Sequence, residues 1–223
     1  QTSYRIGRIR SMPSISADQL RQLTSALFEA VGTAPDAAAY IADSLVASDL
    51  AGHASHGVIR CPQYLEVVAL GSVDPTVTPV VVAVDGATVI VDARFGWGQP
   101  AMHLTTMETI ALAKQYGIAV GVAQNAYHIG RVAPYVELAA NAGLVALAMA
   151  NVGPGVAPFG GRTRVLGTNP IAWAVPGEES TPYIQDIATS QIAEGKARVA
   201  LTKGVPVPPG SIVDINGAPS TNP

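Results

Sequence analysis

The run Pro134-Tyr135-Val136-Glu137-Leu138-Ala139-Ala140-Asn141-Ala142-Gly143-Leu144-Val145-Ala146-Leu147-Ala148-Met149-Ala150 decides the class of fold. Pro134 to Ala142 reads as a helix, and Gly143 stops it. Leu144 to Ala150 is then a continuous apolar strand, the signature of a segment buried in a sheet. The same rhythm precedes it. Met102 to Tyr116 is helical by composition, Gly117 ends it, and Ile118 to Ala123 is a strand. Further out, Val77 to Val84 and Ala87 to Asp92 are β-prone runs joined by Asp85-Gly86, a hairpin signal. Phe95-Gly96-Trp97-Gly98-Gln99-Pro100 reads as a loop. Beyond Ala150, Ile171 to Val175 and Tyr183 to Ile187 are strand candidates, and Gln191 to Leu201 is a candidate helix. Helix followed by buried strand, repeated, predicts α/β architecture with part of the sheet covered on both faces.

The N-terminal third is helical throughout. Ser16 with Gln19 forms a capping box, and Leu20, Leu23, Leu27 and Val31 supply the apolar face of a helix ending at Gly32. Pro35 and Asp36 open a second helix, with Ala39, Ile41, Leu45 and Val46 available for packing. A third, with Pro62 in its first turn, runs to about Leu70 and carries Arg60 and Tyr64 on one face, four residues apart. These readings divide the chain into residues 14–71, a helical segment, and 72–223, an α/β region, with the boundary near Ser72. Residues 1–13 lack periodicity and are set aside as an extension or a cloning remnant.

Between the second and third helices lies Asp49-Leu50-Ala51-Gly52-His53-Ala54-Ser55-His56-Gly57-Val58-Ile59-Arg60. Two of the four histidines sit here with a hydroxyl and a guanidinium, displayed from a turn and the start of a helix. The set offers a fork for a carboxylate, a hydroxyl and two imidazoles. A loop-anchoring role for the His-x-x-His pair is equally compatible with these residues alone. A metal site is disfavoured, because zinc normally takes three or four ligands and Cys61 is the sole cysteine. His128 stands just after a strand, where α/β proteins place ligand-facing groups. The glycine-rich stretch from Asn151 to Gly161, followed by Gly167-Thr168-Asn169-Pro170, could cradle a ligand with backbone N–H groups. It lacks both the Walker loop and the G-x-G-x-x-G fingerprint. Asp186, at the end of a strand, could bond a ribose, orient a base or cap the next helix.

Composition narrows the partners. The 223 residues are 48% apolar and only 13% charged, against about 25% charged in average usage. So uncharged a surface is expected to be covered in part by another subunit or further chain. A net charge of −3 and the absence of any basic run exclude nucleic acid as an expected partner. No apolar run reaches the length of a membrane span. One cysteine fits a reducing, cytoplasmic setting.

These motifs, in this order and spacing, resemble the type II malate/L-lactate dehydrogenase family. That family includes ureidoglycolate, sulfolactate and 2,3-diketogulonate-type dehydrogenases and reductases of cyclic imino acids. The resemblance rests on Asp49 to Arg60 with Pro62 and Tyr64, Gly117-Ile118-Ala119, His128 with Gly130, Pro158 to Gly161, Gly167 to Pro170, and Asp186 to Ser190. Pro208-Pro209-Gly210 and Asp214 to Gly217 echo a later family segment. It implies a non-Rossmann NAD(P)-binding fold of the sulfolactate dehydrogenase-like type, with an N-terminal helical block and a mixed sheet with helices. It implies NAD or NADP as cofactor, a 2-hydroxy acid or 2-keto acid as substrate, and a homodimer.

Roles follow from the matched motifs. His128 stands where the family has its proton acceptor. Ser55 and His56 match the pair lining the substrate and cofactor site. Arg60 would hold the substrate carboxylate through two parallel hydrogen bonds, with Tyr64 beside it. Thr168 and Asn169 line the cleft on the substrate side. Asn151, Val152, Asp186, Ile187, Ala188 and Thr189, together with His56, fall on cofactor-side segments. His53 and His103 take structural readings. Family members continue past the equivalent of Pro223 through a part holding a lysine-glycine-rich segment. One rival expectation is therefore an inactive binding module that keeps the substrate half of the cleft. Others are a cyclic imino acid reductase and a metal-dependent hydrolase using His53, His56 and His128.

Overall fold

The computed structural model describes residues 14–178 and 181–223; the extension expected at residues 1–13 lies outside them. The first block is α1 (Ala17–Glu29), α2 (Pro35–Leu50), two single 3-10 turns (Ala54–His56 and Val58–Arg60) and α3 (Cys61–Ala69). The expected capping box is present. The Ser16 hydroxyl accepts from the Gln19 N–H at 3.2 Å, and the Gln19 side chain accepts from the Ser16 N–H. The packing face of α1 differs from the reading. Thr24 and Phe28 are buried, whereas Leu23 is 63% exposed. In α2 the buried residue is Ala38 rather than Ala39, with Ile41, Leu45 and Val46 as expected. Both corrections have one cause: the aromatic core fixes the rotation of the helices. Phe28 sits edge-on to Trp97 (5.2 Å between centroids, 84°) and to Tyr64 (6.0 Å, 60°). Such pairs stabilise beyond their buried area.

That core crosses Ser72. Val73 and Trp97 join Phe28, Ile41, Leu45, Cys61 and Tyr64 in one cluster. The Trp97 indole N–H donates to Thr33 Oγ1 at 2.8 Å, so its polar edge is satisfied inside.

β1 (Val80–Asp85) and β2 (Thr88–Asp92) form the expected hairpin. Asp85 still pairs with Thr88, so the turn itself is Gly86-Ala87. β3 (Val120–Gln124) joins β2 in parallel, through α4 (Gly98–Tyr116), which packs on the sheet. Gly98, Gln99 and Pro100 belong to the first turn of α4, not to a loop. Pro100 is tolerated there because it lacks only an N–H that a helix start leaves unpaired.

α5 (Ala133–Asn141) leads into a second, antiparallel sheet ordered β4 (Ala146–Met149), β5 (Ile171–Val175), β6 (Tyr183–Ile187). Ala172 and Ala174 are buried beneath Val132, Val136 and Ala140. The opposite face is bare: Leu147, Met149 and Tyr183 are all more than half exposed. The expectation that part of the sheet is covered on both faces is not met in this second sheet among the described residues. β4 alternates between half-buried and exposed residues because only α5 covers it. α6 (Glu194–Lys203) and a short hairpin, β7 (Ile212–Val213) with β8 (Pro219–Ser220), complete the described chain. Among the described residues no helix is long and apolar enough to cross a membrane.

Candidate active site

The turn after α2 is shaped by Asp49, in the last turn of that helix. Its carboxylate accepts from the Val58 N–H at 2.9 Å. Gly57 lies against the same carboxylate, with no room for a Cβ. This clamp folds Ala54–His56 and Val58–Arg60 into two tight turns. Arg60 therefore lies in the turn before α3 rather than in the same helix as Tyr64. Ser55 and Arg60 are buried, and His56 is partly buried.

From these turns the side chains converge. The Arg60 guanidinium is held from behind: Nε donates to the Ser55 carbonyl at 2.6 Å and Nη1 to Gln63 Oε1 at 2.6 Å. Two of its five N–H donors are thus engaged, and three remain for a ligand. Gln63 in turn donates to the Tyr127 hydroxyl at 3.1 Å. Ser55 Oγ lies 3.0 Å from Nδ1 of His56. The His56 ring stacks on that of His128, 5.7 Å between centroids at 23°.

His128 arrives from the loop after β3. Its Nδ1 is 2.7 Å from the hydroxyl of Tyr64, which is fully buried in the aromatic core. The Gly130 N–H approaches the same nitrogen at 3.3 Å. On its other side the Tyr64 oxygen accepts from Gln99 Nε2 at 2.8 Å. The core that packs the domain thus also fixes the hydroxyl that orients His128.

Burial, then the nearby Arg60 charge, push both imidazoles down, His56 to about 4 and His128 to about 3. Both rings are neutral at pH 7. Burial likewise raises the Tyr64 phenol, which stays protonated. The site is one cation facing two neutral imidazoles and two hydroxyls. That arrangement suits an anionic ligand bearing a group that exchanges a proton.

α6 closes one side. A Cβ at Gly195 would stand 2.8 Å from Arg60 Nη2 and 3.0 Å from Ser55 Cβ, so glycine lets the helix start this close without displacing the guanidinium.

The residues expected on the cofactor side are tied to one another. The Val152 N–H donates to Asn169 Oδ1 at 2.9 Å, and the Thr189 N–H to the Thr168 carbonyl at 3.1 Å. Thr189 Oγ1 donates to the Asn169 carbonyl at 3.0 Å. Three segments distant in sequence thereby meet as uncharged amides, hydroxyls and main chain, with Asn151 exposed and Ile187 and Ala188 alongside. One oxygen of Asp186, Oδ2, accepts from the N–H groups of Val132 and Ala133, at 2.9 and 2.8 Å. It caps α5, an earlier helix, and not the helix that follows it, as the sequence reading allowed. Its charge still reaches His56 and opposes the effect of Arg60.

His53 is exposed, and His103 packs its ring on Tyr40 at 4.6 Å, away from the site. Among the described residues no group of three or more His, Cys, Asp and Glu could hold a metal ion. Sequence reasoning missed Gln63, Gln99, Tyr127 and Gly195. Two carried a signal: Gln63 is three residues beyond Arg60, and Pro100 marks a helix start that would have placed Gln99.

The sequence model of the malate/L-lactate dehydrogenase family matches residues 15–223. Hydroxycarboxylate dehydrogenase B of Escherichia coli K12 is 41% identical over 209 residues, covering 93% of this chain and 58% of that protein. The crystal structure of delta1-piperideine-2-carboxylate reductase from Pseudomonas syringae superposes with a TM-score of 0.87 at 37% identity, covering 95% of this chain and 64% of that one. Sulfolactate dehydrogenase from Methanocaldococcus jannaschii gives 0.83 at 35%, covering 93% and 60%. The chain spans about three fifths of the length of these relatives. With its fold shared and its sequence matched from the first helix onward, the chain belongs to the malate/L-lactate dehydrogenase family.

Proposed function

We propose that the protein is an NAD(P)-dependent oxidoreductase that interconverts a 2-hydroxy acid and its 2-keto acid. The observation that carries this reading is the convergence of Arg60, His56 and His128, with Tyr64 hydrogen-bonded to His128 at 2.7 Å. Asn151, Val152, Thr168, Asn169 and Ile187 to Thr189 would hold the nicotinamide, which would supply or accept the hydride. The protein's own residues do the rest. Arg60 binds the carboxylate through its unengaged N–H groups. His128 exchanges the proton of the substrate oxygen, a role suited to imidazole. His56, fixed by Ser55, packs against His128 and excludes water from its face.

Burial is the main cause that holds both imidazoles down, and a bound carboxylate would offset the second, the Arg60 charge. Substrate binding would then bring His128 nearer the range where it gives and takes protons. A second reading, reduction of a cyclic imino acid, is supported by the reductases at 37 to 38% identity; the imine nitrogen would take the place of the keto oxygen. The deciding experiment presents 2-keto acids and cyclic imino acids with NADH or NADPH and follows absorbance loss at 340 nm. Turnover of 2-keto acids alone supports the first reading, turnover of imines alone the second. Turnover of neither removes both. We further propose a homodimer, supported by the bare apolar face bearing Leu147, Met149 and Tyr183, and a cytoplasmic location, supported by the single free cysteine.

A further inference from the structure

Gln99 is fully buried, and its two amide atoms are treated unequally. Nε2 donates to Tyr64 Oη at 2.8 Å, while Oε1 is buried without a partner. Native folds seldom leave such an atom unpaired, and each instance asks for a reason. Here the reason lies two bonds away. The Tyr64 hydroxyl has one proton. With an amide N–H directed at its oxygen, that proton is left to donate to Nδ1 of His128 at 2.7 Å. The Gly130 N–H is directed at the same nitrogen from the backbone, at 3.3 Å. Two donors on one ring nitrogen make Nδ1 an acceptor, so the neutral ring carries its proton on Nε2.

Turning the Gln99 amide over would reverse the chain. Oε1 would accept from Tyr64, the Tyr64 oxygen would accept from Nδ1–H, and Nε2 would be left with a bare lone pair. The two amide orientations therefore favour opposite tautomers of His128, and the 3.3 Å Gly130 N–H adds its weight to the one carrying its proton on Nε2. We propose that Gln99 is a positioning residue that selects, through Tyr64, the His128 tautomer carrying its proton on Nε2. His128 then presents a donor to the site, matched to a keto oxygen or an imine nitrogen rather than to a hydroxyl. The tautomer is a property of the resting chain. Only its bearing on direction rests on the oxidoreductase reading.

The test is a two-dimensional 15N–1H correlation of the histidine side chains in the uniformly 15N-labelled protein at pH 7.5, with no ligand. The His128 signals are assigned by their loss in His128→Gln. Wild type should show one tautomer, protonated on Nε2. Gln99→Met, an unbranched apolar replacement of similar length, removes the N–H and leaves the Tyr64 oxygen open to Nδ1–H. The signal should then shift to a mixture of the two tautomers. A wild-type ring protonated on Nδ1, or a Gln99→Met ring still wholly protonated on Nε2, overturns the proposal. Because the wild-type spectrum alone can do so, a variant that fails to fold does not shelter it. Failure of every substrate to turn over would remove the functional reading and leave this spectrum unchanged.

Discussion

The Tyr64 hydroxyl stands 2.7 Å from Nδ1 of His128, while the ring that carries it lies in the aromatic core beside Phe28 and Trp97. Packing of the fold and orientation of the proposed proton-transfer group are therefore one structural fact. Tyr64→Phe keeps the ring and removes the hydroxyl. It leaves the Gln99 amide and His128 Nδ1 each short of a partner, at a cost of about 1–3 kcal/mol in stability. Turnover should fall by about 10- to 100-fold, less than the loss of a proton-transfer group itself, with a smaller change in substrate KM. An unaltered kcat would show that His128 needs no such support.

Arg60→Lys keeps the charge and loses the planar fork. Two of the guanidinium's hydrogen bonds hold it in place, to Ser55 and Gln63, so lysine loses its anchoring as well as its reach. Substrate affinity should weaken by roughly 1.5–3 kcal/mol, about 10- to 150-fold in KM. Cofactor affinity should change little. An unchanged substrate KM means the carboxylate binds elsewhere.

How much of this was legible beforehand depends on the residue. The strands and helices announce themselves locally, through Gly117, Gly143 and the apolar run into Met149. The grouping of Ser55, His56, Arg60 and His128 came from matched motifs, since no periodicity brings residue 128 to residue 56. Leu23 misled because helical spacing gives a face but not its rotation, which Phe28 and Trp97 set from another part of the chain. Asp186 misled for a similar reason. A carboxylate ending a strand says nothing of which helix N-terminus the fold brings to it, and here that helix precedes it by some fifty residues. Gln99 and Gly195 matter only through what touches them.

Gly195→Ala reverses an ordinary expectation. In a helix, alanine is favoured over glycine by about 1 kcal/mol. At this position the added methyl would meet Arg60 Nη2 at 2.8 Å. At that distance the guanidinium must shift. Substrate KM should rise about tenfold or more, since small misplacements of a positioning group are costly, while helical circular dichroism is retained. A KM equal to wild type would mean that α6 does not constrain Arg60.

Acid should destabilise the protein through the same imidazoles. His56 and His128 are neutral in the fold because burial and Arg60 depress them, to about 4 and about 3. In the unfolded chain both titrate near 6.5. Between these values the unfolded state binds more protons. The stability they contribute is thus complete above about pH 6.5 and is lost as pH falls toward 4 and below. Each can contribute a slope of up to about 1.4 kcal/mol per pH unit. Urea midpoints measured from pH 7.5 to 4.5 should fall, and should fall less steeply in His56→Gln/His128→Gln. Parallel slopes would assign the acid sensitivity to other groups.

His128 carries the sharpest expectation. If it exchanges the proton of the substrate oxygen, His128→Ala should lower turnover by about 10²- to 10⁴-fold, the usual worth of a positioned acid or base. Nicotinamide cofactor affinity should be nearly kept, because Val152, Thr168, Asn169 and Thr189 are tied together without it. His53→Ala is the control: that side chain is exposed and should leave turnover unchanged. The pH profile adds a second readout, taken only over the range in which circular dichroism shows both proteins folded. Oxidation of the hydroxy acid by wild type should lose activity on the acid side as one group becomes protonated, and the residual activity of His128→Ala should lack that limb. Should turnover persist near the wild-type level, the proton must pass through His56, whose ring stacks 5.7 Å from that of His128 and whose Nδ1 is already engaged by Ser55.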